Sequence, residues 1–190
     1  PNMIEKKNPS MMTMLIPWIA FWTAVSITPK VGALIALIVV AAIPFIMRNH
    51  EFEIWDQLSM IAVAVLSVAA NVTGNGDIPT NIGYLVFGLF WLLSCLTKEP
   101  LCAAYVKYNY GGERAHQNPL FMKTNGILAM AWGALYVLTA IWTFLLRKAG
   151  LGNVLLLVNN LIPVWMGLFT VWFEKWYPAW MAGGKAGRRR

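Results

Sequence analysis

The sequence is poor in charge, with 15 Lys and Arg and 8 Asp and Glu among 190 residues, 12% in all against 58% hydrophobic residues. Soluble domains carry about a quarter charged residues, so this composition excludes a water-exposed globule and requires a membrane protein. Histidine is scarce as well, and neither His50 nor His116 falls inside an apolar run, which excludes a haem held by two histidines within a bundle. Cys95 and Cys102 lack the spacing of a metal motif. No His-Glu-x-x-His, nucleophile elbow or Walker glycine loop occurs. Asp56 and Asp77 stand only at the edges of apolar runs, so the membrane carboxylate used by proton-coupled pumps is missing. These absences argue against an enzyme: no catalytic residue, metal site or cofactor is assigned.

What the chain does have is apolar length. A membrane span needs about 20 mostly apolar residues to cross a hydrocarbon core ~30 Å thick. Six runs follow one another, at about 11–28, 31–47, 56–74, 80–97, 122–146 and 151–173. The first is read as a span and not a cleaved leader, because no small-residue cleavage site follows it and Pro29-Lys30 leads straight into the second. The connections "TPK", "NGDIP" and "RKAGL" are short, so the runs are expected to pair into three helical hairpins. The expected fold is all-α, a polytopic membrane protein with six transmembrane helices in one domain over residues 1–190 and a basic tail from about 181.

Cytoplasmic loops are enriched in Lys and Arg, and the basic residues divide unevenly. With six spans, one side carries Lys6, Lys7, Arg48, Lys98, Lys107, Arg114, Lys123, Lys175, Lys185, Arg188, Arg189 and Arg190; the other carries only Lys30, Arg147 and Lys148. Both termini are therefore expected in the cytoplasm, with the protein multi-pass in the plasma membrane. Topology and anionic headgroups account for the net charge of +7, and no nucleic-acid partner is assigned. The expected partners are membrane lipids and other membrane proteins, or further copies of this chain.

Polar groups inside spans are the usual functional pointers, and here they are amides and hydroxyls. Asn125, Ala129, Trp132, Tyr136 and Thr143 recur at helical spacing, which gives the fifth run a small, aromatic and polar face. Asn159 and Asn160 precede Pro163, whose ring frees the carbonyl one turn earlier. Asn125, Trp132, Tyr136, Asn159 and Asn160 are thus candidates to line a solute path. The same residue types also let helices approach and bond, and packing is the commoner use. Trp55, Trp91, Trp142, Trp172, Trp176 and Trp180 stand near run ends, as in an aromatic belt, whereas Trp132 and Trp165 lie deeper.

The stretch "KEPLCAAYVKYNYGGERAHQNPLF" separates the fourth and fifth runs. Pro100 suits a first helical turn; Leu101, Ala104, Tyr105 and Tyr108 share one helical face; Gly111-Gly112 is a helix stop. The pattern predicts a short amphipathic helix on the cytoplasmic membrane surface, with lysines toward the headgroups and tyrosines at the boundary. Lys98, Tyr105, Lys107, Tyr108 and Arg114 are the candidates for lipid or partner contact. Glu113, Arg114 and His116 form a polar cluster with no nucleophile or metal partner.

The fourth run ending in Lys98-Glu99-Pro100-Leu101, the basic segment, and a fifth run carrying Asn125 and Trp132 together resemble the intracellular septation protein A family over about residues 55 to 145. Members are small bacterial inner-membrane proteins with several spans. The resemblance implies an inner-membrane location and a non-catalytic part in septation or envelope maintenance, exercised through protein or lipid contacts. The long "YGGER" loop and the aromatic, basic C-terminal segment depart from the family pattern. A small-solute transporter or channel, and an accessory subunit of a larger membrane complex, are the alternatives.

Overall fold

The computed structural model describes residues 8–187, with the side chains at 153, 156, 157, 160 and 184–187 outside the described set. The elements, in chain order, are α1 (Met11–Ile27), α2 (Pro29–Ile46), α3 (Ile54–Thr73), α4 (Asp77–Ser94), α5 (Leu101–Val106), two 3-10 turns (Lys107–Tyr110 and Gly112–Gln117), α6 (Pro119–Lys148) and α7 (Gly152–Gly187). Each apolar run forms one helix, and no β-strand occurs among the described residues. Among the described residues, three helices, α2, α3 and α6, are by length and composition long and apolar enough to cross a membrane, while α1 is an apolar helix of 17 residues.

The boundaries follow local capping chemistry. Ser10 caps α1, its hydroxyl accepting from Met12 N at 3.3 Å. Asn118 caps α6 by accepting from Leu120 N and Phe121 N at 3.0 and 3.3 Å, with Pro119 in the first turn. At α3, Glu53 and Asp56 form a reciprocal capping box. Gly74 ends α3 in the left-handed region at φ 65°, a conformation open to glycine at little cost.

The chain divides into two compact units, Pro1–Phe90 and Trp91–Arg190. In the first, α1 packs on both α2 and α3 and buries Met14, Trp18, Phe21, Trp22 and Val25. Its Trp18 and Trp22 rings meet Phe87 of α4, each with centroids 5.4 Å apart. Trp22 also lies 4.8 Å from Tyr84. The contact between α1 and α2 is so close that a methyl on Gly32 would overlap the Ala24 carbonyl. Asp56 is wholly buried and accepts from Thr13 Oγ1 at 2.9 Å, so one carboxylate both caps α3 and ties it to α1. Outward, α2 presents Val31, Leu34, Ile38, Phe45 and Ile46, each more than half exposed.

In the second unit, α6 packs against α5 and α7. Leu128, Ala129, Trp132, Tyr136 and Ala140 of α6 are buried, while Met130, Leu138, Ile141, Phe144 and Leu145 face outward. Ala103, Ala115 and Phe121 form a small separate core, with Val106 and Met122 packed against it.

Candidate functional site

The polar face predicted on the fifth run lies inside the second unit. Asn125, Ala129, Trp132, Tyr136 and Thr143 are all buried. Trp132 stacks on Trp91 at 5.3 Å and on Tyr136 at 6.0 Å, with interplanar angles of 16° and 9°. Its indole N–H donates to Thr170 Oγ1 of α7 at 3.0 Å. Nearly three turns further along α6, Trp142 Nε1 donates to Asn159 Oδ1 at 2.9 Å, and Asn159 Nδ2 donates to Thr143 Oγ1 at 2.9 Å. The Asn159 amide is therefore satisfied at both ends by α6. Pro163 sits inside the continuous α7. Asn160, the remaining candidate of this group, has its side chain outside the described residues.

The stretch between α4 and α6 differs from the surface helix predicted for it. The α-helix covers only six residues, Leu101–Val106, and every residue from Leu101 to Tyr105 is buried. Its sequence, Leu-Cys-Ala-Ala-Tyr-Val, is apolar on all sides and so offers no polar face to water. A hydroxyl links it to the preceding helix: Ser94 Oγ donates to Trp91 O at 2.6 Å and accepts from Leu101 N at 3.0 Å. Gly111 at φ 95° and Gly112 at φ 69° then reverse the chain.

Lys107, predicted to reach headgroups, is 5% exposed. Its ammonium lies 3.0 Å from Glu99 Oε1 and 2.8 Å from Glu113 Oε1. Burial alone lowers a lysine pKa, but here the hydrogen bonds to Glu113 and Glu99 outweigh it and hold Lys107 above its ordinary value. Lys107 in turn holds the exposed Glu113 carboxyl below the usual range, chiefly through its hydrogen bond. His116 completes the knot, with Nε2 2.7 Å from Glu99 Oε1 and Nδ1 3.3 Å from Glu113 Oε2. The four side chains satisfy one another, and the two glycine positions make their meeting possible. Tyr105 is buried and Tyr108 half-buried; Lys98 and Arg114 are exposed.

A cavity of about 230 Å³ opens between the start of α6 and the later part of α7. Tyr110, Phe121, Thr124, Asn125, Glu174 and Pro178 are among its walls. Burial pushes the Glu174 carboxyl above the usual range, and burial likewise pushes the Cys102 thiol up, so Cys102 stays an inert thiol.

Sequence reasoning brought Asn125, Trp132 and Tyr136 to one face, but missed that Lys107 points inward and that Trp91, assigned to the interface belt, is fully buried. Trp165, expected deeper in its span with packing or a pocket lining left open, is 66% exposed and lines an apolar cavity with Leu135, Ile162 and Met166. Glu174 was missed because it lies just past an apolar run; its one available signal was a lone acid four residues before Pro178. No group of three or more metal-ligating side chains occurs among the described residues. The chain matches no protein-family model, no curated protein and no solved structure.

Proposed function

We propose that this chain is a non-catalytic integral membrane protein that acts through contacts with membrane proteins and lipids. The observation carrying this reading is the inverted distribution of side chains. Apolar residues such as Ile38, Phe45, Ile61, Val65, Leu138 and Phe144 face outward, while Asp56, Ser59, Ser67, Thr139 and Thr143 are buried. In water such an outer surface is costly at roughly 25 cal/mol per Å² of apolar area; in a bilayer the cost vanishes. We read six spans in three hairpins, both termini cytoplasmic, in a bacterial inner membrane. The lopsided distribution of basic residues supports that orientation.

The seam between α6 and α7 favours contact over conduction. Trp132, Trp142, Thr143 and Asn159 spend their hydrogen-bonding groups on each other or on Thr170, as in helix packing within membranes. A role in septation or envelope maintenance rests on the residue pattern at Lys98–Leu101, Asn125 and Trp132. An accessory-subunit role in a larger membrane complex uses the same outer surface.

Deletion of the gene in the bacterium that carries it tests the role, read as cell length and envelope leakage; unchanged division and permeability would overturn it. Impermeant maleimide labelling of single cysteines tests the topology. A cysteine at Asn75 should react from outside intact cells and one at Gly111 only after lysis; the reverse pattern sinks the orientation. If Asn125→Leu abolished solute flux in proteoliposomes, the transport reading would replace this one.

A further inference from the structure

Asn125 is 3% exposed and donates from Nδ2 to Phe121 O at 2.9 Å. Its Oδ1 is buried with no hydrogen-bond partner. Native folds seldom leave a buried amide acceptor orphaned; Asn81 Oδ1 is orphaned likewise, and what sets Asn125 apart among the described residues is its place in the wall of a cavity that could hold a donor. The cavity beside it, about 230 Å³, has further acceptors in its walls. Thr124 gives its hydroxyl hydrogen to Leu120 O at 2.8 Å, so only lone pairs remain for a ligand. Glu174 supplies a carboxyl group that forms no ion pair or hydrogen bond among the described residues. No lysine or arginine is among the described walls.

We propose that this cavity binds a primary ammonium group carried on a small apolar body. Such a group offers three N–H donors, matched by Asn125 Oδ1, Thr124 Oγ1 and the Glu174 carboxylate. Phe121 and Pro178 provide apolar wall for adjoining methylenes, and the Tyr110 ring supplies a face of the kind that attracts cations. An anion is repelled by Glu174. A neutral amide leaves the carboxylate uncompensated. A quaternary ammonium has no N–H and leaves Asn125 Oδ1 orphaned. The ammonium has two possible sources, the ethanolamine headgroup of a phospholipid or a free alkylamine. Only the lipid source rests on the membrane reading above.

The test uses the full chain, purified in detergent and stripped of lipid. Calorimetric titration compares n-butylammonium with tetramethylammonium, and native mass spectrometry compares retention of phosphatidylethanolamine with phosphatidylcholine. At least one primary ammonium should be preferred over its quaternary counterpart by about tenfold. Asn125→Leu and Glu174→Gln should each weaken that binding by about tenfold or more, while Lys30→Gln, at an exposed residue outside the cavity walls, leaves it unchanged. Asn125→Asp keeps an acceptor oxygen and should keep the selectivity, which holds the test open if the leucine variant fails to fold. Preference for the lipid alone identifies a headgroup site, and preference for butylammonium alone a soluble ligand; either supports the proposal. Equal affinity for quaternary ammonium, parental binding in both loss variants, or no binding of either probe overturns it. Maleimide topology is read independently, so loss of the membrane reading and loss of this site are distinguishable.

Discussion

The charged knot around Lys107 makes an asymmetric prediction. The Lys107 side chain is 6% exposed, Glu99 is 27% and Glu113 is 73%. Glu99→Gln strips the buried ammonium of its better shielded partner and leaves it facing only the exposed Glu113 at 2.8 Å. Breaking a fully buried pair costs about 3–5 kcal/mol. Glu99 is partly hydrated, so we expect roughly 2–3 kcal/mol by that rule. Lys107→Met is the milder change, because the surviving carboxylates reach water and the thioether fills the apolar volume. Its loss should stay near about 1 kcal/mol, close to the range of exposed pairs. The double variant should show a coupling of about 1–2 kcal/mol. Unfolding in mixed detergent, followed by tryptophan fluorescence, measures all three. Equal losses, or a Glu99 loss within about 0.5 kcal/mol of the parent, would refute the burial argument.

The same knot has a defined pH window. The pKa of Lys107 is raised by folding, so its contribution is complete below the ordinary lysine value of about 10.4 and is lost as pH rises through the raised one. The pKa of Glu113 is lowered, so its contribution is complete above the ordinary carboxylate value of about 4.3 and is lost as pH falls through the lowered one. Between these limits the pair contributes a plateau. The difference in unfolding midpoint between the parent and Lys107→Met should stay level across it and shrink only outside it.

Two glycines should respond to alanine with opposite signs. A methyl on Gly32 would lie 2.5 Å from Val25 N and overlap the Ala24 carbonyl, so Gly32→Ala should cost about 1–3 kcal/mol. A methyl on Gly167 of α7 meets nothing within 4 Å, so Gly167→Ala should gain up to about 1 kcal/mol of helix propensity; equal midpoints in detergent unfolding would contradict both. Asn159→Leu strands Trp142 Nε1 and the Thr143 hydroxyl and should cost about 1–3 kcal/mol. Adding Trp142→Phe should recover part of that loss, and strictly additive losses would break the pairing between α6 and α7.

The helices were legible because apolar length and caps are local signals. The run at about 122–146 became a helix starting at Pro119, since the Asn118 side chain sets that end and hydropathy does not. The last run failed in the other direction: α7 continues to Gly187, well past residue 173, because Glu174, Lys175 and the aromatic residues after them still favour helix even where they no longer favour lipid. Charged residues were the least legible. Spacing alone assigns Lys107 to water, yet its placement depends on Glu99 and Glu113, which reach it only after a helix, a 3-10 turn and two left-handed glycines fold the chain back. Asp56, an edge residue by position, is buried because Thr13 of another helix answers it. Trp91 was assigned to a belt by its distance from a run end, but its ring has Trp132 to stack on. In a chain this poor in charge, Asp56, Lys107 and Asn159 are each placed by a side chain outside their own helical turn. An amide acceptor with no such partner therefore carries more information than any charged residue that has found one. Asn81 and Asn125 are such residues among those described, and Asn125 is the one that lines a cavity: the helical spacing located its face, and its own bond to the Phe121 carbonyl determined which of its atoms was left for a ligand.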